Sequence, residues 1–286
     1  MRAVTIGTFD GVHCGHREVI RRLKQISRAN GLTPAVITFD RHPLEITAPD
    51  RAPKMITSIE DADRLLEAEG VEIIRIPFTE DLRRLTAREW MAELKVKHDV
   101  SAIVIGYDNR FGSDCRLLAA EDYARIGKDL GLLVTTAPEI EGCSSSAVRR
   151  AVSEGEIEKA NNILGRQFSI KGKVIRGRQL GRSIGAPTAN LCIDQKQLMP
   201  KPGVYSAQAV IDNEKYRAVV NIGVNPTVCN DRRIKTEAHL IDFSGNLYGK
   251  DLRLDFKRRI RDEKKFASLD ELKQQIKADI AEAEQD

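Results

Sequence analysis

Short apolar, β-branched runs at residues 3–6, 35–39, 73–76, 102–105 and 132–136 alternate with stretches at 16–29, 58–69, 86–97 and 117–130 whose apolar positions recur at helical spacing. The runs predict buried strands, and the periodic stretches predict amphipathic helices. Continuous apolar strands separated by helices argue for a parallel sheet covered on both faces, a doubly wound, Rossmann-like α/β domain.

After residue 166 the pattern shortens. Residues 169–175, 204–211, 216–222, 236–243 and 251–256 alternate apolar and polar positions and are punctuated by glycine, which predicts antiparallel strands. The tail from Ser268 to about Glu284 reads as a helix, with Ser268 as N-cap and Asp270 and Glu271 in its first turn. Several strands and one closing helix predict a small antiparallel β-barrel. Residues 157–164 keep a helical pattern up to Gly165, so the junction reads as rigid, with a front domain of 1–165 and a back domain of 166–286.

The length of 286 residues suits two such domains. A hydrophobic share of 41% and a charged share of 31% belong to a globular protein and exclude a largely disordered one. No stretch approaches the roughly 20 uninterrupted apolar residues of a membrane span, and residues 1–7 show no signal-peptide pattern, so a cytoplasmic location with no membrane partner is expected. Cys14, Cys115, Cys143, Cys192 and Cys229 are odd in number, scattered and without a C-x-x-C pair, and are expected to be reduced thiols. The net charge of +4 suits a polyphosphate ligand; it is too small and too dispersed for a nucleic-acid face. Residues 257–265 hold six Lys or Arg, but Asp262 and Glu263 interrupt them, and the run reads as a solvated face.

Two segments of the front half carry candidate chemistry. Gly7-Thr8-Phe9-Asp10-Gly11-Val12-His13-Cys14-Gly15-His16 leads from the first strand into the first helix, where helix N–H groups attract phosphate. It is neither a Walker A loop nor G-x-G-x-x-G. His13 and His16 at that helix start suit donation to phosphate oxygens during phosphoryl transfer; capping, loop contacts or a metal pair are the alternatives. Cys143-Ser144-Ser145-Ser146-Ala147-Val148-Arg149 follows the last strand of the domain and opens another helix, offering hydroxyls, free N–H groups and one arginine to a leaving pyrophosphate. An ordinary serine N-cap is the plainer reading of that segment alone.

In the back half, Lys171, Gly172, Lys173, Gly181 and Arg182 lie in a basic, glycine-bearing stretch ending Gly185-Ala186-Pro187-Thr188-Ala189-Asn190. Glycines permit close approach of backbone to phosphate, and Pro187 stiffens the turn. In extended chain Thr188 and Asn190 share a side and offer two hard oxygen ligands for Mg²⁺ carrying ATP phosphates. Glu237, on a strand-like run, is either surface decoration or, if the acceptor is an alcohol, the candidate general base; His239, on the same face two residues on, is the rival, with a packing or hydrogen-bonding role more in keeping with its position.

The H-x-G-H and S-S-[ST]-x-x-R patterns resemble the nucleotidyltransferase superfamily. With Thr38-Phe39-Asp40-Arg41-His42-Pro43 and Gly106-Tyr107-Asp108-Asn109-Arg110-Phe111-Gly112, the front half resembles bacterial bifunctional riboflavin kinase/FAD synthetases. Gly185 to Asn190, Gly203-Val204-Tyr205, Asn221-Ile222-Gly223-Val224-Asn225-Pro226-Thr227, Glu237 to Phe243 and Leu247-Tyr248-Gly249 resemble the riboflavin kinase half of the same family. Asn109, Ala147 and Ala186 depart from its usual residues. The resemblance implies ATP binding by Gly7, Phe9, His13, His16, Ser145, Ser146 and Arg149, and FMN binding by His42, Pro43, Asp108 and Arg110. His13, His16 and Arg149 are the implied catalytic groups of that half. It further implies ATP binding by Lys171, Gly172, Lys173, Gly181, Pro187, Thr188 and Asn190, with Glu237 as base, Arg261 near the flavin, and Thr188 and Asn190 at Mg²⁺. Riboflavin, FMN, FAD, ATP, ADP and pyrophosphate are the implied small-molecule partners, with no nucleic acid and no tightly bound structural metal.

Overall fold

A computed structural model describes residues 1–177, 185–224 and 234–286. The chain divides into two compact units, Met1–Ser144 and Ser145–Asp286.

In the first unit, β1 (Arg2–Ile6), β2 (Thr33–Phe39), β3 (Glu72–Ile76), β4 (Val100–Ile105) and β5 (Leu133–Thr136) form a sheet in the order β3-β2-β1-β4-β5, every pair parallel. The helices are α1 (Cys14–Asn30), α2 (Leu44–Thr47), α3 (Ile59–Ala68), α4 (Glu80–Arg84), α5 (Ala87–Lys97) and α6 (Ala120–Leu130). Alternate strand residues feed two cores, Val4, Ile6 and Ile37 on one face and Ala3, Val36 and Val104 on the other. This is the period-2 consequence of burying both faces, and each fully buried aliphatic side chain contributes about 1.5–3 kcal/mol. Helix starts follow the sequence: Thr86 and Glu89 cap α5 reciprocally, and Ser58 caps α3. The stretch expected as one helix from Leu117 begins later, because residues 115–117 form a 3₁₀ turn and the Asp122 carboxylate accepts the Ala119 N–H to start α6.

In the second unit, α7 (Ser145–Glu154) packs on α8 (Ile157–Leu164), and α8 rests on the barrel strands β6 (Phe168–Ile175) and β11 (Asp251–Arg261). Asn161 fixes that contact: its amide donates to Phe256 O at 2.9 Å and Lys257 O at 3.2 Å, and its oxygen accepts the Phe168 N–H at 2.6 Å. With β7 (Ala189–Ile193), β8 (Gly203–Ile211), β9 (Glu214–Val224) and β10 (Ile234–Leu240) the strands close into a six-stranded antiparallel barrel, ordered β10-β7-β6-β11-β8-β9. Phe168, Tyr205 and Phe256 fill its interior. The helix α9 (Leu269–Glu284) follows, capped by Ser268.

Three further expectations change. The segment at Ala189–Ile193 is a full strand rather than the end of a phosphate loop. The basic run does not start as a solvated face: β11 continues to Arg261, because Arg258 pairs with Glu282 and Asp286, Arg259 with Asp262, and Arg261 with Asp279, so each guanidinium has a carboxylate beside it. Cys14 and Cys143 are not reduced thiols but a disulfide, their Cα atoms 5.8 Å apart, since the fold brings together two positions separated by 129 in sequence. Cys115 and Cys192 are free, and Cys229 lies outside the described residues.

Candidate functional site

All the front-half candidates before Ser145 hang from the C-terminal ends of parallel strands. The loop carrying His13 and His16 follows β1, His42 and Pro43 follow β2, and Asp108 and Arg110 follow β4. β1 and β4 are neighbours from which the sheet winds in opposite directions, the position at which open α/β sheets open a ligand crevice.

Residues 7–13 form a tight, strained loop. Phe9 (φ 48°), Gly11 (φ 88°) and Val12 (φ 39°) are left-handed, which for the two with side chains costs on the order of 1–3 kcal/mol each. Asp10 offsets that cost: its buried carboxylate accepts the N–H groups of Ile56 and Thr57 at 3.0 Å. The Phe9 ring lies 4.9 Å from His16 and close enough to Gly7 that a Cβ there would stand 3.2 Å from it. His13 is the N-cap of α1, and its Nδ1 accepts the His16 N–H at 3.4 Å. The hydrogen of a neutral His13 ring is therefore on Nε2. The two imidazoles stack with centroids 3.7 Å apart, so Gly7, Phe9, His13 and His16 form one cluster at a helix start.

Asn109, where the family pattern differs, donates its amide to Ile6 O and clamps the β4 loop to the end of β1. Asp108 and Arg110 flank it and are exposed, with the Arg110 guanidinium donating to Asn109 O at 3.2 Å. His42 Nδ1 accepts the Leu44 N–H at 3.1 Å. Asp40 sits at the root of that loop. Burial works to raise its pKa, but the Phe78 N–H at 2.9 Å and the Arg41 guanidinium outweigh it and hold the carboxyl below the usual range. Ser145, Ser146 and Arg149 form the first turns of α7 and belong to the second compact unit.

In the barrel, register assembles what the sequence keeps apart. Glu237 on β10 is paired with Asn190 on β7 and with Asn221 on β9. Directly paired antiparallel residues share a face, so the three form a polar row across adjacent strands, opposite the buried Thr236, Ala238 and Leu240. Lys235 Nζ lies 2.7 Å from the Glu237 carboxylate. Thr188 is exposed and lies just before β7, two residues ahead of Asn190. Asn190 is buried under Gly177, where a Cβ would stand 2.2 Å from its amide nitrogen. On the other flank Glu263 lies over Gly223, where a Cβ would be 2.4 Å from its Oε1.

His239 Nδ1 is 2.8 Å from Pro187 O. A carbonyl only accepts, so Nδ1 carries the hydrogen and the ring holds the turn that bears Thr188. Lys171 pairs with Asp251 at 3.2 Å, Lys173 is exposed, and Gly172 lies in the inward row, where a Cβ would meet Cys192 O at 2.7 Å. Arg261 makes a two-pronged bond to the buried Asp279 of α9 at 2.9 and 2.7 Å, and Gln275 donates to the same carboxylate. Gly181 lies outside the described residues. Asp10, Gly177, Glu263 and Asp279 were not among the expected site residues; a D-G pair inside a glycine loop was the available signal for Asp10, and the others depend on tertiary contact alone.

The FAD synthetase family model matches residues 1–149 and the riboflavin kinase family model residues 164–286. The bifunctional riboflavin kinase/FMN adenylyltransferase of Escherichia coli (strain K12) is 38% identical over 287 residues, covering 96% of this chain and 90% of its own. That of Bacillus subtilis (strain 168) is 36% identical over 288 residues, covering 98% and 90%. A solved structure described as a macrolide-efflux protein from Streptococcus pneumoniae superposes with a TM-score of 0.88 at 34% identity, covering 98% of this chain and 92% of that one. That description concerns the Streptococcus protein; among the described residues here, no helix is long and apolar enough to cross a membrane. A strand-end crevice with a stacked histidine pair in one unit, a carboxylate between two amides in the other, and these matches over nearly the whole length have one account: the chain belongs to the bifunctional riboflavin kinase/FMN adenylyltransferase family.

Proposed function

We propose that the two reactions of the family, phosphorylation of riboflavin to FMN and adenylylation of FMN to FAD, are divided in this chain between the barrel and the parallel-sheet unit, and that each is carried by the residues below. The row Asn190–Glu237–Asn221 carries the barrel half of the proposal.

In the barrel, the terminal hydroxyl of riboflavin attacks the γ-phosphorus of ATP. An O–P bond forms, the β,γ-bridging bond breaks, and ADP leaves. An alcohol must shed its proton as it attacks, so a positioned base is required. Glu237 takes that proton. His239, whose Nδ1–H donates to Pro187 O, is assigned to holding the turn that bears Thr188. A divalent ion accompanies ATP; Thr188 and Asn190, two oxygen donors at the start of β7, fit a hard cation, and we assign it as Mg²⁺. Lys173 and the glycine-bearing turn before Thr188 complete the ATP contacts. Arg261, fixed by Asp279, orients the flavin.

In the parallel-sheet unit, a phosphate oxygen of FMN attacks the α-phosphorus of ATP and pyrophosphate leaves. A phosphate monoester with a second pKa of about 6 is already largely ionised at neutral pH, so alignment and charge stabilisation replace the base. The His13 and His16 donors, with Ser145, Ser146 and Arg149 from α7, act on the triphosphate. His42, Pro43, Asp108 and Arg110 receive FMN. The stacked pair at the start of α1 supports this assignment.

The test supplies the purified chain with riboflavin or with FMN, plus ATP and Mg²⁺, and separates the flavins by chromatography. FMN followed by FAD is expected from riboflavin, and FAD alone from FMN. Glu237→Gln should remove the first product while FMN is still converted to FAD; loss of both conversions in that variant contradicts the division.

A further inference from the structure

Cys14 is the first residue of α1, between His13 and His16, and Cys143 immediately precedes Ser144-Ser145-Ser146. The disulfide between them therefore joins the two segments assigned to the triphosphate. The backbone closes in with it: a Cβ on Gly15 would stand 2.7 Å from the Cys143 carbonyl oxygen and 3.2 Å from the His13 ring. Glu141 and Gly142 are exposed, Gly142 is left-handed with open space around it, and one backbone bond, from the Cys143 N–H to Ile140 O at 3.0 Å, closes the turn.

We propose that Cys14 and Cys143 form a reversible thiol–disulfide site that sets the rate of FAD synthesis, the disulfide being the faster form. The proposal rests on the assignment of His13, His16, Ser145, Ser146 and Arg149 to ATP. Both cysteines are half-buried rather than sealed in a core, so a small thiol reaches them. Cys14 occupies the first turn of a 17-residue helix, where a thiolate is stabilised, which makes it a good leaving group in exchange. The reductant is a small dithiol. One of its thiolates attacks a sulfur of the bridge, the second resolves the mixed disulfide, and two electrons and two protons pass to the protein while the dithiol leaves as its own disulfide.

The bridge fixes the distance between the start of α1 and the residue before Ser144. With it intact, the start of α1 and the turn at 139–143 are held together before ATP arrives; with it open, that turn must be ordered at each binding event. Loss of such preorganisation appears in both KM for ATP and kcat. Among the described residues the barrel's cysteine is Cys192 on β7, a free thiol, so riboflavin phosphorylation serves as the internal control.

The full-length chain is equilibrated against oxidised and reduced dithiothreitol and divided. One part is unfolded and alkylated for mass measurement, and the rest is assayed for FMN to FAD and for riboflavin to FMN with ATP and Mg²⁺, flavin absorbance being followed so that the flavin itself stays oxidised. Reduction is expected to add two alkyl labels, to slow FAD formation about tenfold with a raised KM for ATP, and to leave FMN formation unchanged. Reoxidation restores the rate. The double variant Cys14→Ser/Cys143→Ser should be slow at every dithiol ratio, and Cys192→Ser should respond like the unsubstituted chain. Equal label counts in the two states, a rate that ignores the count, a faster reduced form, or a reduced form whose circular dichroism shows unfolding would each overturn the proposal. His16→Ala tests the underlying site separately: if it retains FAD synthesis, the ATP assignment fails while the redox response of the unsubstituted chain still stands or falls on its own.

Discussion

The proposed assignments have the two units hold phosphate in different ways. In the parallel-sheet unit it would sit at the end of a strand, in a strained loop of contiguous residues held by Asp10, with the start of α1 as donor. In the barrel it would sit across strands, where Asn190, Glu237 and Asn221 come from three separate parts of the chain and are aligned by hydrogen-bond register. The acceptors account for the difference. A phosphate acceptor arrives ionised and needs only to be aligned, which backbone and helix ends do well. An alcohol needs a base at one fixed point, and a side chain locked in a sheet provides that.

The contrast is broken hardest at its chemical centres. Glu237→Gln should lower riboflavin phosphorylation by about 10²–10⁴ with FAD formation from FMN intact, read by chromatography of each reaction alone. His16→Ala should lower FAD formation by about 10²–10³ and leave the kinase alone. Gly177→Ala probes register rather than chemistry. Its new methyl would displace the Asn190 amide, so KM for ATP in the kinase reaction should rise while urea unfolding shows a loss of about 1–3 kcal/mol. Asp279→Asn loosens Arg261 without removing it; a destabilisation of about 2 kcal/mol and a raised KM for riboflavin are expected, with KM for ATP unchanged.

The smallest effect belongs to Asp40. Its folded pKa is depressed, so its contribution to stability is full above the ordinary aspartate value and disappears as pH falls through the folded value. Asp40→Asn should therefore be less stable than the unsubstituted chain at neutral pH, and the gap in urea midpoint should narrow as pH falls below the ordinary aspartate value.

The contiguous half was the more legible in sequence. Strand-helix alternation marked all five parallel strands, and the histidine pair announced its loop. What holds that loop was hidden, since Ile56 and Thr57 are distant from Asp10 in sequence and the bond is to their backbone. In the barrel, Glu237 and Asn190 stood out by residue type, but nothing local shows that they face each other. β7 was obscured because Thr188 and Asn190, candidate ligands beside a proline, invite a loop reading. The end of β11 was obscured because charge suggests solvent, whereas Arg258 and Arg261 reach carboxylates of α9 and Arg259 pairs with Asp262 just beyond the strand. The Cys14–Cys143 bond was invisible for the same reason: spacing along the chain says nothing about two loop ends that meet in space.

The barrel's strand order also bears on its birth. β6 is the first barrel strand to be synthesised, yet its neighbours are β7 and β11, the latter the last strand made. Until β11 has left the ribosome, one edge of β6 has no partner, and the polypeptide must wait with an exposed ladder that invites intermolecular pairing. Such long-range closure is slow relative to helix formation, so the barrel is expected to be the later and more aggregation-prone half to mature during translation.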